Sequence, residues 1–293
     1  MKDIIYSYYD LDINKIYRKD DKLFFFANNY KILIYICKRE EIQNINKLIE
    51  LTNNLFKIIN VNTFVINKNG SYFTEYNNNY LFLVRINNME NDFCKNDIIK
   101  FWNLKTNLDD YNILEEWKNE VDNIENKIIE YNKEYKIVQN SINYYIGIAE
   151  NAIELLNDYE NIIKEHNDSI GHRVSYKLFD NNSLLDPFTF IRINRMYDVS
   201  NYIKYMFLKN KLDYNEVESF FLNANEYEKI FLFCNLLYPS VYFNLLNGIL
   251  NDSENELKIE ELITKRKKYI KLLSFCKKIV KTNKNAQLIN WFD

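Results

Sequence analysis

The chain has 293 residues, 47% hydrophobic and 27% charged, with a formal net charge of −3 and a pI near 5.7. This is the balance of a folded globular chain with one large domain or two lobes, and it argues against a disordered or fibrous protein. With no overall positive field, the chain is a poor partner for a nucleic-acid backbone.

Cys37, Cys94, Cys234 and Cys276 are far apart and show no CxxC spacing, which predicts reduced structural thiols. Met1-Lys2-Asp3 leads into polar, Tyr-rich sequence without an apolar leader. No apolar run approaches the roughly 18 residues of a membrane helix, so the expectation is a cytosolic protein without membrane insertion.

In chain order, a short strand is predicted around Ile13–Tyr17, then strands at Lys22–Ala27 and Tyr30–Cys37 joined by an Asn28-Asn29 hairpin turn. Ile42, Ile45, Leu48, Ile49 and Leu55 recur at helical spacing through residues 39–56. Strands follow at Asn62–Ile66, Ser71–Tyr76 and Tyr80–Ile86, with Asn69-Gly70 read as a hairpin signal. Beyond residue 88 the periodicity becomes helical: 97–105, 111–136, 141–165, and shorter stretches from Arg195 onward. The domains are therefore a β-rich lobe over 1–88 and a helical lobe over 89–293, an α+β architecture. Residues 167–186 break the helical period and carry Gly171, one of four glycines; chemistry is expected there. Lys265, Arg266, Lys267, Lys268, Lys271, Lys277, Lys278 and Lys281 alternate with apolar residues, the pattern of an amphipathic helix with a wet cationic face, or a site for an acidic partner.

A small sheet with one helix, a connector and a larger helical lobe resembles the protein-kinase-like and aminoglycoside-phosphotransferase-like folds. The segments Ile66–Ser71, Tyr80–Val84, Tyr144–Ile153, Leu236–Phe243 and Leu288–Phe292 resemble, in that order, the CotS/YutH spore-coat kinase-like family. The resemblance implies synthesis in the mother cell of a spore former, deposition in the spore coat, and other coat proteins as partners.

Phosphoryl transfer needs a phosphate cradle, a cation on the phosphates, Mg²⁺ carboxylates and a carboxylate for the acceptor. Against a His-Gly-Asp-x-x-x-x-Asn loop, His172 and Arg173 align with Val174 at the base position and Phe179 at a metal-ligand position. Neither Val174 nor Phe179 can hold a proton or a metal. Asp186, in Leu184–Phe188, is the candidate retained metal ligand and, alternatively, a turn residue before Pro187. Asp198 and Arg195 match a helix start that supports the catalytic loop. Around Lys19–Lys22 the nucleotide loop lacks glycines, and the strand that should carry the phosphate-pairing lysine has isoleucine and tyrosine near that position. Lys31 and Lys38 at its ends are substitutes, with Glu40, Glu41 and Glu50 as carboxylates that could pair with them.

His166 and His172 are the only histidines and form no metal motif, and no GxSxG elbow occurs. The reading is a degenerate kinase-like interaction module that needs no cofactor. Its alternatives are an active small-molecule phosphotransferase using Mg²⁺-ATP through Asp186, or a nucleotide sensor holding adenine on the connector Val84, Arg85 and Ile86.

Overall fold

A computed structural model describes residues 1–19, 22–57, 61–87, 99, 106–131, 135–166, 172–176, 186–251 and 254–280. Its contacts divide the chain into two compact units, Met1–Asp110 with Arg173–Ile193, and Tyr111–His172 with Asn194–Asp293. The boundary expected at residue 88 and the helix expected over 97–105 fall outside the described residues apart from Ile99, which is helical.

The first unit begins differently from the sequence-based expectation. Lys2–Tyr9 forms helix α1, and the first strand, β1, is Tyr17–Lys19 rather than Ile13–Tyr17. Burial explains the change: Ile5, Tyr9 and Ile13 pack on one face of the sheet against Phe25, Ile32, Ile34, Leu81 and Leu83. Strands β2 (Lys22–Ala27) and β3 (Tyr30–Cys37) pair antiparallel around Asn28 and Asn29, whose φ values of 49° and 64° suit a tight hairpin turn.

After a 3-10 turn at Arg39–Glu41 comes helix α2 (Ile42–Phe56). Strands β4 (Thr63–Phe64), β5 (Phe73–Tyr76) and β6 (Asn79–Arg85) complete a sheet ordered β1-β2-β3-β6-β4, with β5 also on β6. The Asn69-Gly70 hairpin is corrected here: β4 and β5 do not pair with each other but both pair with β6. The loop is instead held by Asn67, whose Oδ1 accepts from the N–H groups of Asn69 and Ser71 while its Nδ2 donates to the Phe73 carbonyl. Asn77 and Asn78, both at positive φ, make the β5–β6 turn.

Strand alternation sends Leu33, Phe82 and Val84 to the other face, where Ile45 and Ile49 of α2 and Phe64 close a second core. Val84 and Phe82 are fully buried.

Residues His172–Tyr176, expected to be irregular, form strand β7, which pairs with β8 (Phe190–Asn194). Ladder hydrogen bonds satisfy the backbone that a loop would leave to water.

The second unit is helical. Its helices are α3 (Ile113–Tyr131), α4 (Lys136–His166), α5 (Met196–Leu208), α6 (Tyr214–Leu222), α7 (Glu226–Leu237), α8 (Ser240–Leu250) and α9 (Leu257–Val280). Along α4, Val138, Ile142, Tyr145, Ala149, Ala152 and Leu156 recur at helical spacing and are buried. Glu256 tethers the α4 start by accepting from the N–H groups of Ile137 and Val138.

The expectation that no apolar run nears membrane length also needs correction. Glu226–Leu250 is long and apolar enough to cross a membrane by composition, yet 67% of its most apolar window is buried within the protein. A break at Tyr238–Pro239 splits it into α7 and α8, so it supplies core to the helical unit. On α9 the cationic face is not wholly wet, because Lys277 is buried.

Candidate functional site

Among the sequence-predicted residues, the first unit brings Asp186 to its aromatic core. Asp186 starts the 3-10 turn Pro187–Thr189 that leads into β8, with proline at the first turn position, where a missing N–H costs nothing. Its Oδ1 accepts from the Phe188 N–H at 3.2 Å. Its Oδ2 accepts from the Tyr35 hydroxyl of β3 and lies 3.5 Å from Lys22 Nζ at the start of β2. Only 1% of Asp186 is exposed.

Electrostatics follow from that enclosure. Burial pushes the Asp186 carboxyl above its usual range, outweighing the Tyr35 hydroxyl, the Lys22 ammonium and the Phe188 N–H, which pull it down. Burial raises the Tyr35 phenol further, with the Asp186 charge adding to it, so the phenol is the neutral donor of the pair.

Phe188 anchors the turn. Its ring stacks on Tyr35 at 4.2 Å between centroids and meets Phe64 and Phe82 edge-on at 5.5 and 5.9 Å. Tyr35 is the tyrosine standing near the position where the resemblance expects a phosphate-pairing lysine, and it packs on the same sheet face as Leu33. An aromatic stack and a buried carboxylate thus occupy that part of the sheet face.

The substitutes at the ends of β3 are turned to other work. Lys31 lies 4.4 Å over the Phe24 ring, and Lys38 meets Glu40 in an exposed pair at 3.7 Å. Glu41 accepts from the Lys38 N–H, and Glu50 is exposed on α2. Burial, with Glu41 nearby, pushes the Cys37 thiol up to about 11, which suits an inert thiol; Cys234 and Cys276 are also free, and Cys94 lies outside the described residues.

The proposed connector is already hydrogen-bonded within the unit. Val84 and Arg85 pair with β3 on one side and β4 on the other. The Ile86 N–H donates to the Lys31 carbonyl. Asn87 continues the pattern, its N–H donating to Asn62 Oδ1 and its side chain to the Val61 carbonyl.

His172, Arg173 and Val174 lie in β7, while Phe179 and residues 20–21 of the expected nucleotide loop fall outside the described residues. In the second unit, Asp198 is buried in the first turn of α5. Arg195 clamps Glu228 through two contacts, Nε to Oε1 at 2.7 Å and Nη2 to Oε2 at 2.9 Å, which makes it structural.

Magnesium takes several oxygen ligands in near-octahedral order. Both Asp186 oxygens are engaged, and among the described residues no group of three or more His, Cys, Asp and Glu side chains could hold a metal. So engaged, Asp186 offers no open oxygen to Mg²⁺.

Over residues 2–276 the sequence matches the family described as "Spore coat putative kinase YutH". The chain belongs to this family. A YutH relative, the "Endospore coat-associated protein YutH" of Bacillus subtilis (strain 168), is 28% identical over 128 residues, 40% of this chain and 38% of that protein's length. The chain is therefore matched to well under half of that relative.

Among solved structures, an aminoglycoside phosphotransferase from Alicyclobacillus acidocaldarius superposes with a TM-score of 0.62 at 10% identity, over 97% of both chains. A spectinomycin phosphotransferase solved with ADP and spectinomycin gives 0.53 at 11% identity, over 96% of this chain and 95% of its own. These likenesses establish the aminoglycoside-phosphotransferase-like fold: an antiparallel sheet lobe and a helical lobe, as the YutH-type segments implied.

What the sequence did not reveal is the partnership of Tyr35, Lys22 and Phe188 with Asp186. The available signal was an aromatic directly after Asp-Pro, matched by a tyrosine where a lysine was expected.

Proposed function

We propose that this YutH-family chain is a catalytically silent member that serves as an interaction module in the spore coat. The observation that carries the reading is the capture of Asp186, the one candidate metal carboxylate, by the Tyr35 hydroxyl beneath the Phe188 ring. A carboxylate held this way must give up three favourable partners before it can ligate a metal, and Val174 offers no base.

The coat assignment is supported by the family description and by the coat-associated name of the Bacillus subtilis relative. Its working surroundings are then other coat proteins, reached after synthesis in the mother cell, with no cofactor required.

Tagged chain in a sporulating host tests this. The reading expects the tag in the purified coat fraction, with Asp186→Asn deposited as well as the wild type. Tag spread through vegetative cells and absent from spores overturns the location. Deposition abolished by Asp186→Asn in a folded protein overturns the silence.

A further inference from the structure

Two helices of the second unit carry opposite charge on their open faces. From Ile137 to Ile163, α4 contains no Lys, Arg or His, and Glu150, Glu154 and Asp158 are exposed along it. From Lys265 to Val280, α9 contains no carboxylate, and Lys267, Lys268, Lys271 and Lys278 are exposed. At about 3.6 residues per turn the acids share an arc of about 80° over about 12 Å, and the lysines one of about 100° over about 16 Å.

Neither stripe is neutralised. Among the described residues none of these side chains is in an ion pair, whereas Lys258 and Lys265, nearer the α9 start, are paired with Glu254 and Glu261. Like charges recur at i and i+4 on both helices, a spacing that costs helix stability. Gly147 lies on the acidic side of α4, and a Cβ placed there would meet nothing within 4 Å among the described residues. Glycine inside a helix is less stable than alanine, and no positive φ or close neighbour within the chain requires it at this position. What it leaves is room for a second backbone to approach.

We propose that a second copy of this chain lays its α9 across α4, with Lys267, Lys268 and Lys271 answering Glu150, Glu154 and Asp158 and the two backbones closest at Gly147. The occupant follows from complementarity. The surface that the α9 stripe needs is present on the chain itself, with opposite sign, similar length and the same i, i+4 repeat. Phe275 falls within the lysine arc and meets the 41% exposed Tyr214 edge-on at 5.1 Å, which gives the contact an apolar component. Exposed ion pairs are individually weak, so the association is reversible and sensitive to salt. Because the two faces are unlike, it either closes as a pair that makes the contact twice or runs on head to tail. It lies within the helical unit and is independent of the silent-site reading of Asp186.

Sedimentation velocity of the full chain over a concentration series, at about 0.01 M and about 1 M salt, where the screening length falls from about 30 Å to about 3 Å, tests it. The expected result is a mass that rises with concentration at low salt and returns to monomer at high salt. The double variants Lys267→Glu/Lys271→Glu and Glu150→Lys/Glu154→Lys should each weaken self-association at least tenfold, and a mixture of the two should associate again, because each then supplies the face the other lost. Gly147→Leu, at an open position, should weaken the wild-type contact severalfold. Monomer at every concentration in low salt, association untouched by either reversal, or a mixture that stays monomeric overturns the proposal. Wild type that stays monomeric yet binds poly-L-glutamate through Lys267 and Lys271 assigns the face to an acidic partner instead and overturns it as well.

Discussion

The Tyr35 hydroxyl donates to Asp186 Oδ2 across 151 residues of sequence. It joins the middle of the sheet to the turn before β8. Tyr35→Phe removes a donor to a buried carboxylate and is expected to cost about 1–2 kcal/mol in urea denaturation.

Asp186→Asn behaves differently, because the amide still offers an acceptor to Tyr35 and sheds the cost of a buried charge. Folding raises the Asp186 pKa, so the folded state binds the proton more tightly than the unfolded chain does. Wild-type stability from this group therefore grows as pH falls through the folded pKa and levels off below the unfolded carboxylate range. The expected outcome is Asp186→Asn as stable as wild type or more so at pH 7, with that advantage lost towards pH 4. Denaturant midpoints at the two pH values check this.

Phe188→Ala removes a ring that touches Tyr35, Phe64 and Phe82. As the residue is half-buried, the expected loss is about 2–3 kcal/mol, below that of a fully enclosed Phe. Phe188→Leu should recover about half. Equal losses for Leu and Ala would contradict the packing account.

Arg195 and Glu228 form a bidentate pair, and Glu228 also completes a capping box with Asn225 at the α7 start. Glu228→Ala breaks both and leaves Arg195 without its clamp. Expected is about 3 kcal/mol of destabilisation, with Glu228→Gln recovering the cap but not the pair.

For Lys204 the sign is opposite to the usual lysine case. Folding lowers its pKa to about 7 from 10.5, so between those values the unfolded chain holds the proton that the folded chain releases. Stability from this group rises with pH from about 7 towards 10. Lys204→Met should flatten that rise in thermal melts between pH 7 and 8.5.

Local patterns made much of the first unit readable. Short apolar runs bounded by turn residues gave β2 and β3 with the bounds found, and Asn28-Asn29 and Asn77-Asn78 marked the turns because Asn tolerates positive φ. Tyr145 and Ile148 of α4, at helical spacing, are buried, as are Leu237 and Tyr242, while Ile153 is half-buried. Helix α1 was not legible, because its stability comes from Ile5 and Tyr9 meeting strands far along the chain. Nor was the path of β4 and β5, since edge choice depends on which strand offers free ladder groups. The absence of the strand lysine was readable at Tyr35, but its hydrogen bond to Asp186 was not: that pairing is purely tertiary.

Nucleotide binding followed by thermal melting, with Mg²⁺-ATP at millimolar concentration and again in EDTA, on wild type and Asp186→Asn, tests the silent-site account most directly. A ligand at 100 times its Kd stabilises a folded protein by about 2.7 kcal/mol, a shift of several degrees in a chain this size. With Asp186 held by Tyr35 and Lys22, the account predicts no shift in any of the four samples. A shift of several degrees that requires Mg²⁺ and disappears in Asp186→Asn would contradict it.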